Sequence, residues 1–212
     1  MARLFSIRPT LTLKGRRFMG IRGWAGKPTH PPLTDFPIVA YVIAALCDVV
    51  SVIADGNAPE GGVVPVAHDF FMAGTIVMTI GLVGGLAAAT TGFFDWWKGL
   101  PRDRRSGGII GKAQHTQVWR TTNWHAVVML AVTAIVIVNL VIRYAQLDDG
   151  SASIVVAVLS VLAAGLVAFG AAYGGALVFE YQFNVQDISR STAWDETEED
   201  QFPGRKRAKP EE

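Results

Sequence analysis

The chain has 212 residues, of which 50% are hydrophobic and 17% charged, and its formal net charge is +1. That length corresponds to one domain, and the charged fraction falls well below the roughly one quarter usual in soluble domains. A single cysteine, Cys47, excludes an intrachain disulfide and a Cys/His zinc pattern and reads as a small buried hydrophobe.

Residues 1–28 form a basic arm carrying Arg3, Arg8, Lys14, Arg16, Arg17, Arg22 and Lys27, with no acid before Asp35. Organellar transit peptides share that bias, but no apolar core of a secretory signal is present. Leu4, Phe5, Leu11, Leu13, Phe18, Met19 and Trp24 alternate loosely with the basic residues, so an arm lying on anionic lipid is preferred to a cleaved peptide.

Residues 29–185 contain four apolar runs, at 36–54, 70–94, 126–142 and 154–179. A bilayer core needs about 20 helical residues, with roughly 17 to 25 tolerated, and all four runs lie near that range. Their unbroken apolarity excludes alternating barrel strands. The expected fold is an all-α membrane protein, a bundle of four transmembrane helices. The loops set the expected orientation. The segment 95–124 carries Lys98, Arg102, Arg104, Arg105, Lys112 and Arg120. The first-to-second connection has only Asp55, Glu60 and Asp69, and the third-to-fourth has Arg143 beside Asp148 and Asp149. By the positive-inside rule both termini and the middle loop are cytoplasmic. The tail, residues 186–212, is acidic and then basic with little apolar content, and is expected to be disordered.

Helix two holds Gly74, Gly81, Gly84, Gly85 and Gly92, and helix four holds Gly165, Gly170, Gly174 and Gly175. Gly81/Gly85 and Gly170/Gly174 are small-xxx-small pairs, which let helix backbones approach in lipid; plain packing is preferred to a dimerisation role. Trp96, Trp97, Trp119 and Trp124 cluster at the cytoplasmic ends, where aromatic rings favour the headgroup zone.

Polar groups at membrane depth mark candidate sites. An inner layer comprises His30, Asp35, Asp95, Asn123 and His125. His30 is expected just before helix one, Asp35 as its N-cap with Pro37 in the first turn, Asp95 at the end of helix two, and Asn123 and His125 at the opening of helix three. Such a layer could bind a metal, relay protons or hold a headgroup, but a polar network fixing three helix ends is the plainer reading. No spacing on one helix supports a metal. An outer layer comprises Asp48, His68, Asp69 and Arg143. An unpaired Asp48 would cost on the order of 3 kcal/mol at that depth, so it must be protonated or paired, with Arg143 and His68 as candidates. A structural pair is preferred to proton or ion handling.

The cofactor is left open, with haem b ranked low. His68 and His125 lie at opposite ends of the span, about 25 to 30 Å apart. An inner haem would need His125 with His30 or His115, both expected outside helices.

These residues resemble a bacterial integral-membrane family catalogued as domain of unknown function 2231, over about Thr29 to Val185. Four blocks carry the resemblance: His30 to Ile38, Thr91 to Trp96, Asn123 to Ala126 and Gly174 to Phe179. It implies four membrane helices and a bacterial plasma membrane, with no established reaction. Some relatives are joined to, or encoded with, Rieske-type iron–sulfur proteins, which hints at redox chemistry; this chain has no Cys/His cluster to hold such a centre. Many relatives have His where Asp35 stands, which weakens a haem or metal reading. The middle loop is longer than usual, and Ile110 to Val118 could form a short interfacial helix or a docking surface.

The first-ranked function is a non-catalytic membrane subunit or anchor for a partner protein, which could be a redox protein, held at the loop 95–124 or the termini. The alternatives are a haem- or quinone-binding electron-transfer subunit and a small proton or ion pathway through Asp48. No nucleophile and base stand at readable spacing, and Ser51 and Ser160 read as helix-packing hydroxyls. Because the basic residues track the membrane boundaries, the expected contacts are the lipid bilayer and a protein, with no nucleic acid.

Overall fold

The computed structural model describes residues 21, 28–57, 64–99, 102–103, 112–113 and 116–184. The expected arm over 1–28 and tail over 186–212 lie almost wholly outside them. Four helices make up the bundle: α1 (His30–Gly56), α2 (Pro65–Gly99), α3 (Gln117–Ala145) and α4 (Ile154–Phe179). All four are long and apolar enough to cross a membrane. Between α2 and α3, β1 (Arg102–Asp103) pairs antiparallel with β2 (Lys112–Ala113). A single turn of 3-10 helix (Leu147–Asp149) leads from α3 towards α4.

Three helices extend beyond their apolar runs, because helix geometry does not stop where hydrophobicity does. α1 begins at His30, with proline in its first turn, where the absent N–H is no loss. Asp35 therefore lies inside the helix and exposed, and the N-cap position belongs to Thr29. α2 runs past Asp95 to Gly99. α3 starts at Gln117, where the Thr116 hydroxyl accepts from the Trp119 N–H at 3.2 Å. His125 is thus two turns inside α3 rather than at its opening. Of the segment Ile110 to Val118, read as a short interfacial helix or a docking surface, the described residues Lys112 and Ala113 are paired in β2, and Gln117 and Val118 already belong to α3. α4 matches its apolar run, capped by Ser153, whose hydroxyl accepts from the Val156 N–H.

The helices pack in a ring: α1 against α2 most extensively, α3 against α4, α1 against α4 and α2 against α3. α1 and α3 are therefore diagonal. The core is built from small and branched side chains, Ala40, Ala44, Val132, Val136, Ala163 and Val167 among them, around Tyr41 and Met78. Leu46, Val83, Val141 and Ile154 point outward and exposed. Large apolar groups outside and small ones inside fit a lipid environment, where association depends on close packing and hydrogen bonds.

The glycine seams have direct partners. A Cβ at Gly81 would come within 2.6 Å of the Ala40 Cβ, and one at Gly170 within 2.6 Å of the Met129 Sδ. Gly74, Gly81, Gly84, Gly85 and Gly92 of α2 thus admit α1, and Gly170 and Gly174 of α4 admit α3, which divides the bundle into two hairpins.

Candidate functional site

Polar side chains gather at two levels of the bundle. His30 and Asp48 are 18 residues apart on α1, and so are His125 and Arg143 on α3. Eighteen residues make about five full turns, so each pair lies on one helix face with about 27 Å of rise between its members. Both faces turn towards the bundle interior, and the two diagonal helices meet through these residues at both levels.

At the distal level Arg143 and Asp48 form an ion pair, and both side chains are fully buried. The guanidinium also donates from Nε to Asn139 Oδ1 at 2.8 Å, from Nη1 to Thr75 Oγ1 at 3.2 Å and from Nη2 to Ser160 Oγ at 3.0 Å. Asn139 Nδ2 in turn donates to Ser160 Oγ at 2.8 Å and to the Val156 carbonyl at 3.1 Å. The Phe71 ring lies 5.7 Å from the guanidinium carbon. Every helix contributes, with Asp48 from α1, Thr75 from α2, Arg143 and Asn139 from α3, and Ser160 from α4. The planar guanidinium can serve four partners at once, which a lysine could not. Arg143, not His68, is the partner of Asp48. His68 and Asp69 stand apart from this network as neighbours 3.7 Å from each other, with side chains 45% and 78% exposed. Nearby, Ser51 donates to the Ala67 carbonyl at 2.7 Å and accepts from the Ala152 N–H at 3.0 Å, tying α1 to the first turn of α2 and to the segment that leads into α4.

At the proximal level His30 and His125 face each other across the bundle. Their ring centroids are 6.3 Å apart and their planes 79° from parallel. His30 Nδ1 is 2.8 Å from the Ala88 carbonyl on α2, and His125 Nδ1 is 2.9 Å from the Gly170 carbonyl on α4. A carbonyl only accepts, so each Nδ1 carries the proton and each Nε2 presents a lone pair. Four residues beyond each carbonyl stands a glycine under the imidazole. A Cβ at Gly92 would come 2.7 Å from His30 Cε1, and one at Gly174 would come 3.3 Å from His125 Cε1.

The remaining residues expected at this level divide. Asn123 accepts from Trp96 Nε1 at 2.9 Å, joining α3 to α2. Asp95 is buried beside the Ile21 backbone, and its Oδ1 has no hydrogen-bond partner among the described residues. Asp35, exposed on α1, takes no part.

Sequence reasoning missed Asn139 and Thr75, because one amide and one threonine in apolar runs carry no signal alone. It also passed over a spacing that was visible: the 95-residue offset that takes His30 to His125 also takes Asp48 to Arg143. Among the described residues no group of three or more His, Cys, Asp or Glu side chains is placed to hold a metal ion.

No curated protein and no solved structure gives a significant match. Residues 26–187 match the family described as predicted membrane protein (DUF2231). With most of its length in that match and four membrane-length helices in its fold, the chain belongs to this family of membrane proteins.

Proposed function

We propose that this protein is a non-catalytic membrane subunit that carries electrons for a partner protein, using a centre seated between His30 and His125. One observation carries the reading: two imidazoles from diagonal helices meet in the bundle with both Nδ1 atoms fixed on carbonyls, so that both free nitrogens can act as ligands. The Lys/Arg asymmetry supports a bacterial plasma membrane setting with both termini cytoplasmic, which puts the histidine level near the cytoplasmic face. The basic segment 95–124 on that face is the proposed docking region for the partner. A plain anchor without redox activity is less favoured, since it gives no role to paired histidines beneath which two glycines clear space. A proton or ion pathway through Asp48 is less favoured too, because Arg143, Asn139, Ser160 and Thr75 close that level into one network.

The test is coulometric titration of the full chain purified in mild detergent. Reversible uptake of electrons in proportion to protein is the expected result. A chain that takes up none under any mediator would overturn the redox reading and leave the anchor.

A further inference from the structure

The two halves of the bundle repeat each other around the histidines. His30 on α1 reaches Ala88 on α2, and His125 on α3 reaches Gly170 on α4. Shifting α1 by 95 residues and α2 by 82 converts one arrangement into the other, and the same shift of α2 takes Gly92 to Gly174. Two hairpins thus bring two equivalently held imidazoles to a centroid separation of 6.3 Å, which suits a ligand that is itself symmetric and binds from both sides.

We infer that a single haem is held between His30 and His125 as its two axial ligands. This rests on the redox reading above and names its centre. The separation fits. With metal–imidazole bonds of about 2.0 Å and about 1.1 Å from ring nitrogen to ring centroid, two imidazoles on opposite sides of one metal have centroids about 6.2 Å apart. The observed separation is 6.3 Å. The ligand count fits as well. A bare transition-metal ion needs three or four protein ligands, and no group of three His, Cys, Asp or Glu exists among the described residues. A haem brings four equatorial nitrogens and asks the protein for two axial ones. The Nδ1–H···O=C bonds on both histidines are the outer interactions that fix ring orientation and raise the basicity of a metal-bound imidazole.

The distal level explains why the number is one. At the positions five turns further along α1 and α3 stand Asp48 and Arg143 in place of two more histidines, and they bind each other. No second axial pair exists there, so the haem occupies one end of the bundle only.

The experiment uses the full chain expressed in a haem-supplied host, purified in mild detergent, with absorbance spectra and a pyridine haemochrome assay. The expected result is a six-coordinate, low-spin spectrum and one haem per chain. His30→Asn and His125→Asn are the informative variants: an asparagine amide can still donate to the Ala88 or Gly170 carbonyl, but it offers no Nε2. Each should lose the haem, added imidazole should restore binding, and His68→Asn should keep it in full. Thermal exposure of Cys47 to a thiol-reactive dye checks that each variant is folded. Wild-type protein without haem after reconstitution with hemin would overturn the inference, as would folded asparagine variants that retain it or a stoichiometry of one haem per two chains. Electron uptake without a haem band would remove the haem and leave the redox reading standing. A haem band without electron uptake would do the reverse.

Discussion

Replacing Arg143 with methionine asks what the distal network contributes. The substitution keeps much of the aliphatic stem and removes every donor. Asp48, fully buried, is then left without its partner. Breaking a buried pair from one side costs about 3 to 5 kcal/mol, chiefly because the remaining charge is stranded. The neutral partners matter less. Interhelical hydrogen bonds in membranes average about 0.6 kcal/mol, so losing the contacts to Thr75 and Ser160 adds about 1 kcal/mol, beside the bond to Asn139 within α3. The double variant Asp48→Val with Arg143→Met strands no charge, so it should carry only that smaller deficit. It is expected to be more stable than Arg143→Met alone by about 3 to 5 kcal/mol, the cost of the stranded charge. Cys47 supplies the assay. It is the only cysteine in the chain and is buried beside Asp48, so a thiol-reactive dye reports unfolding of this level directly. Additive effects of Asp48→Val and Arg143→Met, or an Arg143→Met protein that melts with wild type, would refute the claim that the pair is coupled.

Ser51→Ala leaves the buried Ala152 N–H without an acceptor and should lower stability by about 1 to 3 kcal/mol in the same dye assay. Ser51→Cys, which retains a weak acceptor, should lose less. Gly81→Ala places a Cβ 2.6 Å from Ala40 and must push α1 away from α2, at a cost of about 1 to 3 kcal/mol, whereas Gly165→Ala meets nothing within 4 Å and should be neutral or slightly stabilising. Equal melting temperatures for those two alanine variants would contradict the packing of the glycine seam. Trp96→Phe removes the Nε1 donor to Asn123 and should cost about 1 kcal/mol, with Asn123→Leu adding little in the double variant.

Four membrane helices could be read from the sequence because apolar length is a property of each segment alone, and lipid imposes it without reference to the other helices. Helix ends could not be read in that way. His30 and Gln117 begin their helices outside the apolar runs, in stretches whose polar side chains suit the membrane boundary as well as a loop would. With His30 ahead of α1 and His125 at the opening of α3, the sequence sets both in one interfacial layer but supplies no helix phase that would turn them towards each other. Once both lie within helices on diagonal sides of the bundle, the facing arrangement follows from helix phase.

The pairing of Asp48 was easier to foresee, since a buried carboxylate demands a cation and Arg143 lay at the same depth. Asn139, Thr75 and Ser160 were not, because their role depends on how four helices are rotated about their axes. The 18-residue spacing supplies the missing rotation for two of them. Once His30/Asp48 and His125/Arg143 are each assigned to one face, those faces of α1 and α3 must turn inward, for a lipid-facing Asp48 or Arg143 would be too costly. The turn that buries the charged pair at one end also aims the histidines at each other at the other end. The distal network can therefore be understood as the clamp that sets helix phase, and the proximal histidines as the group whose geometry that phase determines. On this account Arg143→Met should disturb the histidine level about 27 Å away as well as lowering stability, whereas a purely local role for the pair would leave the His30–His125 separation unchanged.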